Sequence, residues 1–360
     1  MTTSKYAAAH VSPEGPGDAR PTALQIVEDE GLENKLTNKT FLITGCSSGI
    51  GLETARAIAA TGATVFCTVR DLERGKIALA DILESPNVEL LYMDLNSLDS
   101  VRTAAEEFLS KTEHKPINVL ICNAGVLAIP APGTATEDGF ETQFGTNHLA
   151  HFLLFNLVKQ SLLISSTPQF NSRVVMVSSD VHRMNGVRFD DYNFHKEGEY
   201  TPLGAYAQSK TANIYMANII ERHYGAEGIH ANSVHPGVIW TPLQKYLPEE
   251  TLEAWKSVPE NRRILKSTAQ GAATTVWAAV GREWEGKGGK YLENVEVALP
   301  VREGYKHFEA GYEKWAYDEQ MEDRLWADSL KMGCANRCSM FTSTLGNSVS
   351  DFAHRENHME

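Results

Sequence analysis

Two Tyr-x-x-x-Lys pairs stand in the chain, Tyr192 with Lys196 and Tyr206 with Lys210, and either could form an acid–base couple. A phenol ordinarily has a pKa of about 10 and transfers protons better nearer neutrality. An ammonium beside it stabilises the phenolate and lowers that pKa. Residues four apart share one face of a helix, so a single turn can build the couple. It can protonate the alkoxide left when hydride reaches a carbonyl, or take the proton of an alcohol in reverse. GAYAQSKTANIYMANIIERHYG sets small residues around Tyr206 and then Ile214, Met216, Ile219 and Ile220 as apolar anchors. That pattern predicts a buried helix from about Gly204 to Tyr224 that holds the pair rigidly. VRFDDYNFHKEGEY around Tyr192 is charged, lacks an apolar stripe, and would leave Lys196 flexible and solvated. Tyr206 and Lys210 are therefore the expected pair. The Ser178-Ser179 step that ends RVVMVSS offers a hydroxyl that can donate to the reacting oxygen and stabilise its developing charge.

These groups need a frame. FLIT, ATVFCTV, VELLYM, NVLICN and RVVMVS are short apolar runs suited to strands buried on both faces. GLETARAIAATG, RGKIALADILES and SVRTAAEEFLSKT lie between them with apolar residues at helical spacing. Strands alternating with helices imply an α/β fold: a single doubly wound Rossmann-type domain with a parallel sheet. HANSVHPG reads as a further strand and loop, STAQGAATTVWAAV as a helix, KYLENVEVA as a last strand and WAYDEQMEDRLWADSLKM as a terminal helix. Residues 1–37 read as an N-terminal extension without sustained periodicity, 38–332 as the domain and 333–360 as a C-terminal tail. Residues 180–202 form a long insert before the helix of Tyr206, too charged for a core element. Residues 241–266 are expected to form a mobile substrate lobe.

Thr44-Gly45-Cys46-Ser47-Ser48-Gly49-Ile50-Gly51 follows the first strand and opens a helix. Glycines let the chain turn tightly and approach a pyrophosphate, and the helix start presents free N–H groups and a positive dipole end. Enzymes that take NAD commonly carry an acid at the end of the second strand for the ribose hydroxyls. This chain has Val69 and then Arg70, whose forked guanidinium suits a 2′-phosphate. The cofactor expected is NADP(H).

The T-G-x-x-x-G-x-G spacing resembles the short-chain dehydrogenase/reductase family, and further matches follow in order across about residues 38–300. Asp94-Leu95 resembles the family's adenine contact, and Asn123-Ala124-Gly125 the segment that lines the nucleotide. Asn147 in GTNHLAHF resembles the asparagine of the active-site helix, which implies that it holds a water or the lysine's partner network. Pro236-Gly237-Val238 with Thr241 resembles the loop that holds the nicotinamide. The resemblance also implies that the second serine, Ser179, is the catalytic one, and that Lys210 bonds the nicotinamide ribose. Tyr192 follows Ser179 at the spacing of compact members. The retinol dehydrogenase-like branch, which includes the WW-domain oxidoreductase, has a longer insert that suits Tyr206. The resemblance implies an apolar small-molecule substrate such as a retinoid, steroid, lipid or secondary metabolite.

The chain has 360 residues, 42% of them hydrophobic, and a net charge of −13. Such an acidic protein repels nucleic-acid backbones. No run is long and apolar enough for a membrane span and no signal peptide is evident, so a cytoplasmic protein is expected. Oligomeric state is left open, with a homodimer one option. The five cysteines suggest reduced thiols rather than a disulfide framework. Cys334 and Cys338 could share a helix face, but no adjacent His or Cys completes a metal shell, so no metal is expected. Trp255, Trp277 and Trp284 read as packing residues. Ser179 with His182 or His195 and an Asp could suggest a hydrolase, but no G-x-S-x-G elbow surrounds it. Two other readings remain: an NADP-binding regulator or scaffold without turnover, and a reductase-like protein that guides a cyclisation.

Overall fold

The computed structural model describes residues 4–113, 116–130, 134–306 and 308–334. Eight strands form one sheet: β1 (Thr40–Thr44), β2 (Thr64–Val69), β3 (Val88–Tyr92), β4 (Val119–Cys122), β5 (Ser172–Val177), β6 (Ile229–His235), β7 (Tyr291–Glu293) and β8 (Glu296–Val297). Their order is β3-β2-β1-β4-β5-β6-β7-β8. All pairs are parallel except β7–β8. The β1, β4, β5 and β6 strands are buried along their whole length. Such strands need helices on both faces. Phe41 and Ile43 point to one core with Ile58, Val276 and Trp277; Leu42 points to the other with Phe108, Leu153 and Met216. This is the doubly wound α/β fold. The strand order reverses between β1 and β4, which opens a crevice at their carboxyl ends.

KYLENVEVA is a tight hairpin rather than one strand. Asn294 and Val295 take positive φ, 55° and 57°. A two-residue turn requires this backbone but usually draws Asn-Gly, so the β-branched Val295 conceals the signal. Its side chain is buried and its N–H donates to Thr274 Oγ1 at 3.2 Å.

The N-terminal residues also carry structure that their sequence pattern does not announce. The Ala23–Asp29 helix starts on Thr22, whose side chain accepts from Gln25 N, and it buries Ala23, Ile26 and Val27. Two turns are too few for a sustained periodicity. Ahead of it Arg20 is buried. Its guanidinium pairs with Asp18 (2.8 Å) and donates to the carbonyls of Gly15 (3.0 Å), Ile264 (2.9 Å) and Leu265. The N-terminal segment thus grips the end of the 241–266 lobe. Arg20→Met should strip Asp18 of its cation and the carbonyls of Ile264 and Leu265 of the guanidinium donor, and lower stability by about 3–5 kcal/mol. Denaturant unfolding that matches wild type would refute this.

The 180–202 insert departs from the expectation that it is too charged for the interior. Asp180–Met184 form a 3-10 turn in which His182 and Arg183 are buried. Local partners make this tolerable: Arg183 bonds Asp180 Oδ2 at 3.2 Å and Glu309 O at 2.6 Å, and His182 Nδ1 bonds Ser179 O at 2.6 Å. The lobe forms a 3-10 turn (Pro242–Tyr246) and two short helices, Glu249–Ser257 and Pro259–Ile264. The Glu319–Cys334 helix closes the described chain, and the expected tail beyond it, with Cys338, lies outside the described residues. Among the described residues no helix is long and apolar enough to cross a membrane, and no group of three potential metal ligands occurs.

Candidate active site

A cavity of about 630 Å³ opens at the carboxyl ends of the strands. Every residue expected to meet nucleotide or substrate lines it, except Asn147. The glycine turn forms one wall. Gly45 and Gly49 take positive φ, 76° and 62°, a backbone that glycine adopts without strain. A Cβ at Gly51 would stand 2.2 Å from Gly45 O and 2.4 Å from Asn123 Nδ2. Only hydrogen fits there. The turn is tied down by Gly45 and Cys46, whose N–H groups both donate to Thr68 O at 3.1 Å. Thr44 Oγ1 accepts from Asn123 N (2.9 Å) and Ala124 N (3.0 Å), which locks the end of β1 to the end of β4. The Asn123 Oδ1 is buried without a partner. This glycine cradle, next to an unsatisfied acceptor, fits a dinucleotide pressed against the backbone. Thr241, whose side chain caps the 3-10 turn at Leu243 N, packs against Gly49 and brings the two nucleotide walls together.

Arg70 is exposed at the cavity edge and makes no hydrogen bond or ion pair among the described residues. Asp71, the acid nearest the end of β2, is engaged locally: its Oδ1 caps the following helix by accepting Arg74 N at 3.1 Å. Arg74 is a second cation at this edge that the sequence reading did not single out; its spacing, four after Arg70, was the available signal.

The reacting groups come from β5 and the Pro202–Tyr224 helix. Thr201 caps that helix through Gly204 N, Pro202 stands in its first turn, and its middle is buried on all sides. Tyr206 and Lys210 lie one turn apart, the Lys210 Nζ 5.4 Å from the Tyr206 ring centre. Lys210 Nζ donates to Val177 O at 2.9 Å. Ser178 turns away from the centre and donates to Lys210 O at 2.8 Å. Ser179 Oγ lies at the cavity wall, donates to Asp180 Oδ1 at 3.1 Å and accepts Val181 N at 3.2 Å. Tyr192, by contrast, donates to Asp328 Oδ2 at 2.8 Å, stacks on Phe144, and is not on the cavity wall.

The electrostatics differ from the simplest picture of an ammonium acidifying a phenol. Burial drives the Tyr206 pKa up, the Asp180 charge adds to this, and hydrogen bonding by Ser179 opposes it. Burial also pushes Lys210 down to about 7. Burial thus disfavours the charged form of the lysine, and the protein groups alone leave the phenol protonated. Asn147 stands one layer behind. Its Oδ1 accepts Val126 N (2.8 Å), and its Nδ2 donates to Val126 O (3.0 Å) and Ser209 Oγ (2.9 Å). It belongs to a five-residue π-helix, Gly145–Leu149, and its own carbonyl bonds His151 Nδ1 at 2.9 Å. Irregular helix of this kind is common at functional sites.

The outer wall is apolar and comes mainly from the lobe: Trp240, Leu243, Leu247, Leu252 and Trp255, with Phe308. Trp255 stands edge-on to Trp240 (5.3 Å) and to Phe308 (6.0 Å). This corrects the reading of Trp255 as packing alone. Trp277 and Trp284 do pack on each other, at 4.9 Å in the core.

The family pattern described as short chain dehydrogenase matches residues 39–252, and the chain belongs to that family. It is 52% identical over 328 residues to the short-chain dehydrogenase/reductase prx1 of Penicillium roqueforti, covering 91% of this chain and 94% of that one. It is 35% identical over 323 residues to the human WW domain-containing oxidoreductase, covering 87% and 74%, which agrees with the branch suggested by the long insert. Among solved structures, an uncharacterized protein from Mycobacterium paratuberculosis superposes with a TM-score of 0.59 at 32% identity, covering 82% of this chain and 93% of that one. The family and the fold make the protein an oxidoreductase of the CH–OH/C=O class.

Proposed function

We propose that the protein is an NADP(H)-dependent reductase of ketones or aldehydes on apolar small molecules. The observation that carries this reading is the meeting of Tyr206, Lys210 and Ser179 with the glycine cradle on one cavity. A reduced nicotinamide held on the glycine cradle would supply the hydride for the carbonyl carbon. Tyr206 then gives its phenolic proton to the oxygen, so that C=O becomes CH–OH; oxidation retraces the same path. Lys210, whose Nζ donates to Val177 O at 2.9 Å, would balance charge beside the phenol and would hold the ribose of a bound nicotinamide. The half-buried aromatic and leucine wall of the lobe excludes water and suits an apolar carbonyl compound such as a retinoid, steroid, lipid or secondary metabolite. The same residues serve both directions, and it is the NADP(H) reading that points to reduction.

Arg70 supports the choice of NADP(H) because it is an exposed guanidinium, without a partner among the described residues, at the nucleotide edge where an acid would favour NAD. Arg70→Ala should raise the Kd for NADPH about tenfold to a hundredfold, the loss expected for a hydrogen bond to a charged group, and leave the Kd for NADH unchanged. Fluorescence titration of the reduced cofactors measures both. Equal weakening of the two, or of neither, would remove the assignment.

A further inference from the structure

Behind the cavity, the loop that follows β6 rests on a buried lysine. Pro236, Gly237, Val238 and Ile239 line the cavity. Lys266, at the end of the lobe, is buried and lies off the cavity wall. Its Nζ donates to Pro236 O at 3.2 Å and to Asn294 Oδ1 at 3.0 Å. Its backbone N–H donates to Val238 O at 2.9 Å, and it pairs with Ile239 in a parallel bridge. Its stem runs against Gly237, where a Cβ would stand 2.8 Å from Lys266 Cε and 2.9 Å from Nζ. Gly237 also takes a φ of 100°. The position therefore calls for glycine twice over, for its backbone and for the approach of the lysine.

One residue thus holds the loop from behind at successive positions, through Pro236, Gly237 and Val238. Lys266 is itself held by remote segments. Asn294 sits on the β7–β8 turn, where the N–H of Val295 is anchored to Thr274 Oγ1. The carbonyl of Leu265, one peptide earlier, accepts from Arg20. Ser267, one residue later, caps the Thr268–Gly271 helix by accepting Gln270 N at 3.2 Å. Taking an ammonium out of water is costly. What it adds over an apolar side chain of the same length is a tie between a carbonyl of the cavity loop and an amide oxygen of the hairpin.

We propose that Lys266 is a positioning residue for the nicotinamide half of the cofactor: it sets the 236–239 loop against the cavity and joins that loop to the end of the substrate lobe. The inference rests on the reading of this loop as the holder of the nicotinamide. Lys266 acts through the Pro236 and Val238 carbonyls, and its own side chain stays behind the wall. The adenine end of the cofactor belongs to the glycine cradle and Arg70, on the other side of the crevice, so a loosened 236–239 loop should be felt by one half of the dinucleotide and not by the other.

Binding measured without turnover tests this. Lys266→Met keeps the stem and removes the donor to Pro236 O and Asn294 Oδ1. Its Kd for NADPH should rise about tenfold, the loss expected for a hydrogen bond from a charged group. Its Kd for adenosine 2′,5′-bisphosphate, which has the adenine end and no nicotinamide, should match that of wild type. Calorimetric titration measures both. Equal weakening of the two ligands, or of neither, overturns the inference, because a merely structural lysine would not distinguish the halves of the cofactor. Asn294→Gly repeats the test with the lysine in place: glycine suits the φ of 55° at this position, and the ammonium loses one of its two acceptors. It should weaken NADPH in the same selective way, by a smaller factor. Loss of fold in both variants, seen by circular dichroism, would make Lys266 a structural residue and overturn the inference as well. If wild-type protein favours NADH, NADH and ADP-ribose form the corresponding pair. If it binds no nicotinamide dinucleotide, the parent reading of the cavity fails instead.

Discussion

Tyr206→Phe lowers kcat for carbonyl reduction about 10²- to 10⁴-fold, the range for loss of a general acid. The side chain is buried against Leu127 and Ala128, and phenylalanine keeps that packing, so fold and NADPH affinity should stay near wild type. The same change at Tyr192 should leave kcat unchanged. It removes the 2.8 Å bond to Asp328 and lowers stability by about 1 kcal/mol. Steady-state kinetics on both variants, beside a denaturant titration, separate chemistry from structure. Turnover that survives Tyr206→Phe and disappears in Tyr192→Phe would move the active site to the other pair.

Replacing Lys210 by methionine should have two opposed effects. The buried ammonium is held down from 10.5 to about 7 by desolvation, which corresponds to roughly 4 to 5 kcal/mol at about 1.4 kcal/mol per unit. An unfolded lysine titrates near 10.4, so between about pH 7 and 10 the unfolded chain binds a proton that the folded chain does not. Stability therefore rises with pH across that window, and the penalty is complete below it. Methionine fills nearly the same volume and carries no charge. It leaves Val177 O without the Lys210 donor, a loss of about 1–3 kcal/mol. The desolvation term is the larger, so Lys210→Met should raise Tm at pH 7 in protein without added nucleotide, and the gain should shrink toward pH 10. Turnover should nevertheless fall about a hundredfold or more, because the charge beside the phenol is gone. A variant that is both less stable at pH 7 and fully active would contradict the placement of a buried cation at the reacting centre.

The parts of the site that were legible in the sequence are those whose chemistry is local. Gly45, Gly49 and Gly51 announce a turn because no other residue fits its backbone, and the structure shows a Cβ at Gly51 driven into Gly45 O. Tyr206 and Lys210 share a helix face because four residues make about one turn, and the small and apolar residues around them mark that helix as buried. The parts not legible depend on distant segments. Asp180 stood in a charged stretch. Nothing local told that β6 would bring His235 against it or that Arg183 would be satisfied by Glu309 O. Trp255 looked like packing because the partners that place it on the cavity, Trp240 and Phe308, come from both sides of it in the chain.

By itself, then, the order of residues determined the alternating strands and helices, the nucleotide turn and the spacing of the phenol and its lysine, since each follows from backbone periodicity over a few residues. Tertiary structure alone decided how Arg20 clamps the lobe, how His235 comes to bond the backbone of Asp180 beside Ser179, and in which direction Tyr206 and Lys210 titrate. Those properties depend on burial and on charges brought together from remote parts of the chain, and a linear pattern carries neither distance nor dielectric.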